Sequence, residues 1–154
     1  MGKIDDRLAQ LGIALPTPAA PVANYVGFVR TGNLVYTAGQ VTLADGKLHY
    51  TGKVGGEISL EDAQKAARLC AINVLAQLKL ACDGNLDRIK RIVKLVVFVN
   101  AVPNFTDHPK VANGASDVMV DVFGDRGKHA RSAVGSGSLP LNVAVEVEAI
   151  AEVE

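Results

Sequence analysis

At 154 residues, 49% of them apolar, the chain holds enough for one ordinary hydrophobic core and little more. Sixteen basic and sixteen acidic side chains cancel, so without local clustering there is no broad positive field to hold a phosphate backbone or an anionic membrane. Aromatic residues make up only 5%, with no Trp, which removes the stacking platforms of single-strand binders, so nucleic acid is not expected as a partner.

Apolar runs stop after about five to eight residues, short of the roughly 20 that cross a bilayer, and Met1-Gly2-Lys3-Ile4-Asp5-Asp6 opens without a hydrophobic secretion segment. A soluble, cytoplasmic protein with no membrane partner is expected. Cys70 and Cys82 form no CxxC, and His49, His108 and His129 are scattered, so neither a disulfide framework nor zinc-ligand spacing is present.

Ile4, Leu8 and Leu11 fall at helical spacing, and Pro16, Pro18 and Pro21 then forbid a continued helix. Residues 1–22 read as a short helix and a proline-rich connector, and 23–154 as the core of a single domain spanning 1–154. Tyr25 to Arg30 and Asn33 to Ala38 are β-formers on either side of Thr31-Gly32, which predicts a hairpin. A further extended piece, Leu48 to Thr51, follows the Asp45-Gly46 turn.

Ser59 and Asp62 make a capping-box-like start to a helix reaching about Cys82, with Ala63, Ala66, Ala67, Cys70, Val74 and Leu78 on one face. Small residues there imply close packing on a sheet, with Cys70 a small core hydrophobe. Ile92 to Val99 reads as a mostly buried strand. Pro109 opens a second long helix that Gly124 stops, and Ala130 begins another strand. From Asn142 to Glu154 the chain alternates, with Val143, Val145, Val147, Ala149, Ala151 and Val153 on one face and Ala144, Glu146, Glu148, Ile150 and Glu152 on the other. This order gives an α+β architecture, a mixed β-sheet with two main helices packed on one face. The other face then lacks cover, and self-association into a closed ring is the simplest remedy.

Familiar signatures are absent. No GxGxxG follows a strand, no phosphate-cradling GxxxxGK[ST] occurs, and without GxSxG neither Ser132 nor Ser138 is tied to a histidine base. Gly135-Ser136-Gly137-Ser138 reads as a flexible bend. Two features put charge where burial is expected. Arg131, among small and apolar neighbours, carries the side chain best shaped to hold a carboxylate with two parallel hydrogen bonds, although an arginine on an edge strand can equally sit in water. Glu146 and Glu148 share a strand face about 7 Å apart, so one can serve a reacting water and the other solvent, the ordinary alternative being a solvated face. Tyr25 at a strand start and Asn113 in the second long helix are weaker candidates, more simply a rim tyrosine and a solvated amide.

Ala130-Arg131-Ser132-Ala133-Val134, then Leu139-Pro140, then Val145 to Ala151, closely resembles the C-terminal signature of the reactive intermediate deaminase (RidA/YjgF) family, also labelled endoribonuclease L-PSP-like. Asn33 to Gln40 resembles that family's first hairpin and Gly-Gln turn, and Val93 to Val99 its strand after the long helix. The resemblance implies a chorismate-mutase-like fold and a homotrimer with clefts between subunits. It implies cofactor-independent hydrolysis of enamines and imines such as 2-aminoacrylate to the 2-oxo acid and ammonia. The partner is then a small carboxylate-bearing imine or 2-oxo acid. Arg131 would clamp the carboxylate and Glu146 would activate water. Backbone at Gly39 and Ala133 would contact substrate or water, with Tyr25 walling the pocket and Asn113 nearby.

Ala133 stands where better-known members have cysteine, and Ala38 where they have serine; the lost hydroxyl is the change expected to lower activity or shift substrate choice. Residues 1–22 extend beyond the usual family start and are expected to cap the cleft or the trimer edge. The competing readings are a non-catalytic trimeric module that senses a small carboxylate metabolite, and an RNA-cleaving enzyme, the latter opposed by the charge balance.

Overall fold

The computed structural model describes residues 2–18, 20 and 23–154; Pro21, in the expected proline-rich connector, lies outside the described residues. In chain order the elements are α1 (Lys3–Gln10), β1 (Phe28–Thr31), β2 (Leu34–Thr37), β3 (Leu43–Ala44), β4 (Lys47–Leu48), α2 (Leu60–Ala81), β5 (Ile89–Asn100), α3 (His108–Phe123), β6 (Ala130–Ser136) and β7 (Val145–Val153).

The strict alternation of β7 sets the framework. Val145, Val147, Ala149, Ala151 and Val153 are buried, while Glu146, Glu148, Ile150 and Glu152 are only half-buried. β7 is the middle strand of a five-stranded sheet ordered β1-β2-β7-β5-β6, antiparallel except where β6 runs parallel to β5. That parallel pair is joined by α3, the crossover such strands require. Residues directly opposite across strands share a face. Val97 opposite Val147 and Leu95 opposite Ala149 therefore point to the helices, whereas Phe98 opposite Glu146 and Val96 opposite Glu148 point the other way. β3 and β4 form a separate small hairpin.

Both long helices cover the inward face, as the periodicity predicts. Ser59 Oγ accepts the Asp62 N–H at 3.1 Å to cap α2, whose Ala63, Ala66, Ala67, Cys70, Ala71 and Val74 are fully buried. Such small side chains bring the helix close enough for Cys70 Sγ to donate to the Val145 carbonyl at 3.3 Å. α3 carries proline in its first turn and ends at Gly124, whose φ of 63° suits glycine. No described helix is long and apolar enough to cross a membrane. The opposite sheet face carries Val29, Tyr36 and Val134, 54%, 44% and 45% exposed, beside the half-buried Val96, Phe98 and Ile150.

α1 docks on the helical layer, while Pro16, Thr17, Pro18 and Ala20 of the connector after it line a cavity together with Tyr25 and Gly39. Ile4 and Leu8 are buried, and the Asp87 carboxylate accepts the N–H groups of Lys3 and Ile4 at 3.0 and 2.9 Å. Arg7 Nε donates to the Asp121 carbonyl of α3 at 2.8 Å, and Lys79 of α2 pairs with Asp5 at 3.1 Å.

Four local expectations change. Thr31 pairs with Leu34, so the hairpin turns on Gly32-Asn33, where Gly32 supplies φ of 59°. The extended piece around residue 48 is the β3–β4 hairpin, with Thr51 only bridging Val143. Gly135 and Ser136 continue β6, paired with Val99 and Asn100, rather than bending. Ala144 precedes β7 and is buried instead of sharing the glutamate face.

α2 and α3 touch at Gly114, where a Cβ would overlap the Gln64 backbone carbonyl. Gly114→Ala must push the helices apart and is expected to destabilise by about 1–3 kcal/mol, read as a lower denaturant midpoint at unchanged slope.

Candidate functional site

The predicted residues assemble as two half-sites on opposite faces of the sheet. The first lies on the helical side of the open edge strand, β6. Arg131 is opposite Leu95, whose side chain is buried among the helices, so the guanidinium turns toward α3. There Nη1 donates to Asn113 Oδ1 at 2.8 Å and to Ser116 Oγ at 3.1 Å. Those bonds use both Nη1 hydrogens, while none of the described residues bonds Nε or Nη2. That free edge has the fork shape that accepts a carboxylate side-on. Ala133, opposite Val97, shares this strand face and packs against the core.

The second half-site surrounds Glu146. Gln40 and Val147 exchange backbone hydrogen bonds, Gln40 N–H to Val147 O at 2.7 Å and Val147 N–H to Gln40 O at 3.0 Å. They pin the turn after β2 over β7. Gly39 is thereby set against the carboxylate, since a Cβ there would lie 2.5 Å from Glu146 Oε2. Gly39 and Tyr25 also line a cavity of about 640 Å³ whose walls include Gln40, Pro16 and Pro18 and, from α2, Asn73 and Gln77; Glu146 is not among them. Tyr25 precedes β1 instead of starting a strand and is 60% exposed.

Burial pushes the Glu146 carboxyl above the usual carboxylate range, and repulsion from Glu148 adds to it. No described group donates a hydrogen bond to either Glu146 oxygen, so the carboxylate is free to take a proton. Arg131 and Glu146 do not meet within one protomer. They stand two strand spacings apart across the sheet and three residues apart along it, about 14 Å in all, and face opposite sides.

Sequence reasoning missed Ser116 and His129, whose Oγ and Nε2 are 2.9 Å apart. The signal was available. Asn113 and Ser116 are an i, i+3 pair on one helix face, and His129 and Arg131 are two apart, sharing a face in an extended chain. Among the described residues no cluster of metal-ligating side chains occurs.

Five strands in this order under two helices, with an arginine on the open edge and a glutamate on the central strand, define a class of small α+β proteins. Residues 5–153 match the family model "YjgF/chorismate_mutase-like, putative endoribonuclease". The chain belongs to this family, RidA/YjgF, and has its fold. The match takes in α1, which the sequence reading set apart as an extension. The chain is 47% identical to Protein TCP17 of Trypanosoma cruzi, over 98% of this chain and 94% of that protein. It is 30% identical to the 2-iminobutanoate/2-iminopropanoate deaminase of Dermatophagoides farinae, over 92% and 95%. The crystal structure of Atu1372 from Agrobacterium tumefaciens superimposes with a TM-score of 0.92 at 48% identity, covering 98% of this chain and 92% of that one.

The raised Glu146 carboxyl has a consequence for stability. A folded-state pKa above the unfolded value penalises folding once pH exceeds it and not below the unfolded pKa. Glu146→Gln is therefore expected to melt higher than the parent protein at neutral pH. The gain should fade as pH falls through about 4 and vanish below it, where the parent glutamate is protonated in both states, as a pair of melting curves against pH would read.

Proposed function

We propose that the protein hydrolyses small 2-imino acids, formed by tautomerisation of enamines such as 2-aminoacrylate, to 2-oxo acids and ammonia. The observation that carries this reading is the seat of Arg131. Neutral acceptors hold Nη1 while the Nε and Nη2 edge stays open on an unpaired strand edge, a preformed receptor for one carboxylate. The substrate class named for the mite relative, a deaminase of 2-iminobutanoate and 2-iminopropanoate, supports it.

With the carboxylate on Arg131, the imine carbon is held by a single well-directed contact. Glu146 takes a proton from water as the water oxygen bonds to that carbon and the C=N pair moves to nitrogen. The nitrogen, once protonated, leaves as ammonia while the remaining hydroxyl loses its proton and the C=O bond forms. An imine is already electrophilic, so orientation and one proton acceptor suffice, and no covalent nucleophile is required. Ala133 suits this scheme, because the contact required at that position comes from the main chain of an edge strand, whatever the side chain.

A complete site then needs two protomers. One supplies Arg131 and Asn113 from its β6 edge; its neighbour supplies Glu146, Gly39 and Tyr25. A head-to-tail ring such as a homotrimer makes this contact at every boundary and covers the apolar sheet face bearing Val29, Tyr36 and Val134.

In a coupled assay that generates 2-aminoacrylate, Arg131→Ala is expected to lose nearly all turnover, and Glu146→Gln about 10²-fold or more. Trimers reassembled from equal amounts of the two variants should recover about a quarter of parental turnover. About three trimers in four are mixed, and each of those holds one intact cleft of three. Unchanged rates in both variants would remove the site, and no recovery on mixing would remove its sharing between subunits. Saturable binding of a 2-oxo acid without ammonia release from the parent protein would replace catalysis with a sensing role.

A further inference from the structure

The seat of Arg131 is the last link of a hydrogen-bond chain that begins two residues earlier. His129 Nδ1 lies 2.6 Å from the Gly127 carbonyl oxygen, an atom that only accepts, so Nδ1 must carry a proton. In the neutral ring Nε2 is then an acceptor, and Ser116 Oγ, 2.9 Å away, donates to it. With its own hydrogen directed at His129, the serine oxygen turns lone pairs toward Arg131, whose Nη1 donates to it at 3.1 Å. Every bond in the series runs one way, from guanidinium to hydroxyl to imidazole to carbonyl, so each polarises the next. The opposite tautomer would set an Nδ1 lone pair against the Gly127 carbonyl oxygen.

We propose that Ser116 and His129 are positioning residues for carboxylate recognition, and that they act only through Arg131. This rests on the reading of Arg131 as the carboxylate clamp. A guanidinium on a long stem rotates freely unless several donors are fixed, and a side-on carboxylate contact needs the Nε and Nη2 edge to face the cleft. Asn113 alone fixes one Nη1 hydrogen. Ser116 fixes the other, three residues along the same helix, and two anchors define the plane where one leaves a pivot. His129 ensures that Ser116 offers oxygen rather than hydrogen. Ser116 and His129 are only half-buried, and the adjacent core positions Ala115 and Val118 pack without them.

The test is calorimetric titration of the intact protein with pyruvate as carboxylate probe and pyruvamide as its uncharged analogue. Ser116→Ala and His129→Phe are each expected to weaken pyruvate binding about ten-fold, leave pyruvamide binding unchanged, and move kcat on the 2-imino acid less than about two-fold. Ser116→Thr, which keeps the hydroxyl, should restore pyruvate affinity. Unchanged pyruvate affinity in both Ser116→Ala and His129→Phe, with or without a lower melting midpoint, overturns the proposal, as does equal weakening toward both probes. Arg131→Ala separates the two readings. If it alone abolishes pyruvate binding, the clamp stands and the positioning role falls. If it leaves binding intact, the clamp reading falls and the positioning role with it.

Discussion

The period of β7 is the constraint on which the other features hang. Side chains alternate at every residue, so a shift of one place against β5 would turn Val145, Val147, Ala149, Ala151 and Val153 out to the free face and bring three glutamates beneath the helices. Burying unpaired carboxylates in that layer costs several kcal/mol each, far beyond any gain from an alternative pairing. One register is therefore fixed, and it is inherited outward. Through Val147 it seats the Gln40 turn and places Gly39 on Glu146; through β5 it sets β6 and points Arg131 at α3. That the two charged residues face opposite sides of the sheet follows from this pairing.

Much of this architecture was legible because it is periodic. The alternation of β7, the small-residue stripe of α2 and the proline and glycine bounding α3 each record a local rule that tertiary packing leaves intact. Elements too short to have a period were misplaced. Thr31-Gly32 and Gly32-Asn33 both read as turns, and the choice depends on where the glycine's positive φ is required. For α1 the amphipathic pattern was plain, yet its destination depends on Asp87, a carboxylate more than 80 positions away that receives its first N–H groups.

The candidate site was legible as a list and not as an arrangement. Arg131 and Glu146 stand out as charges within apolar strands, and Asn113, a weaker candidate that reads more simply as a solvated amide, is the residue that bonds Arg131 at 2.8 Å. What no one-dimensional reading contains is the parallel pairing of β6 on β5, which decides the face of Arg131. Ser116 and His129 escaped because a serine in a helix and a histidine before a strand are ordinary in isolation. Their meaning lies in the crossover that brings the strand's start back to the helix.

Keeping Arg131 and Glu146 apart also preserves both charges for chemistry. Placed together in one protomer they would form a partly buried ion pair, in which the arginine's field is neutralised and the carboxyl is held firmly ionised at low basicity. Instead the guanidinium is seated on two neutral oxygens, Asn113 Oδ1 and Ser116 Oγ, which orient it without cancelling its charge. Glu146 is partly buried and has a second carboxylate, Glu148, as its charged neighbour, so burial first and repulsion second move its proton affinity up rather than down. An anion that reaches the first half-site meets an undischarged cation, and a water at the second meets a carboxylate with raised basicity. Within one protomer the sheet keeps the two from quenching each other, so their approach is left to the contact between subunits, where in the proposed site the substrate stands between guanidinium and carboxylate.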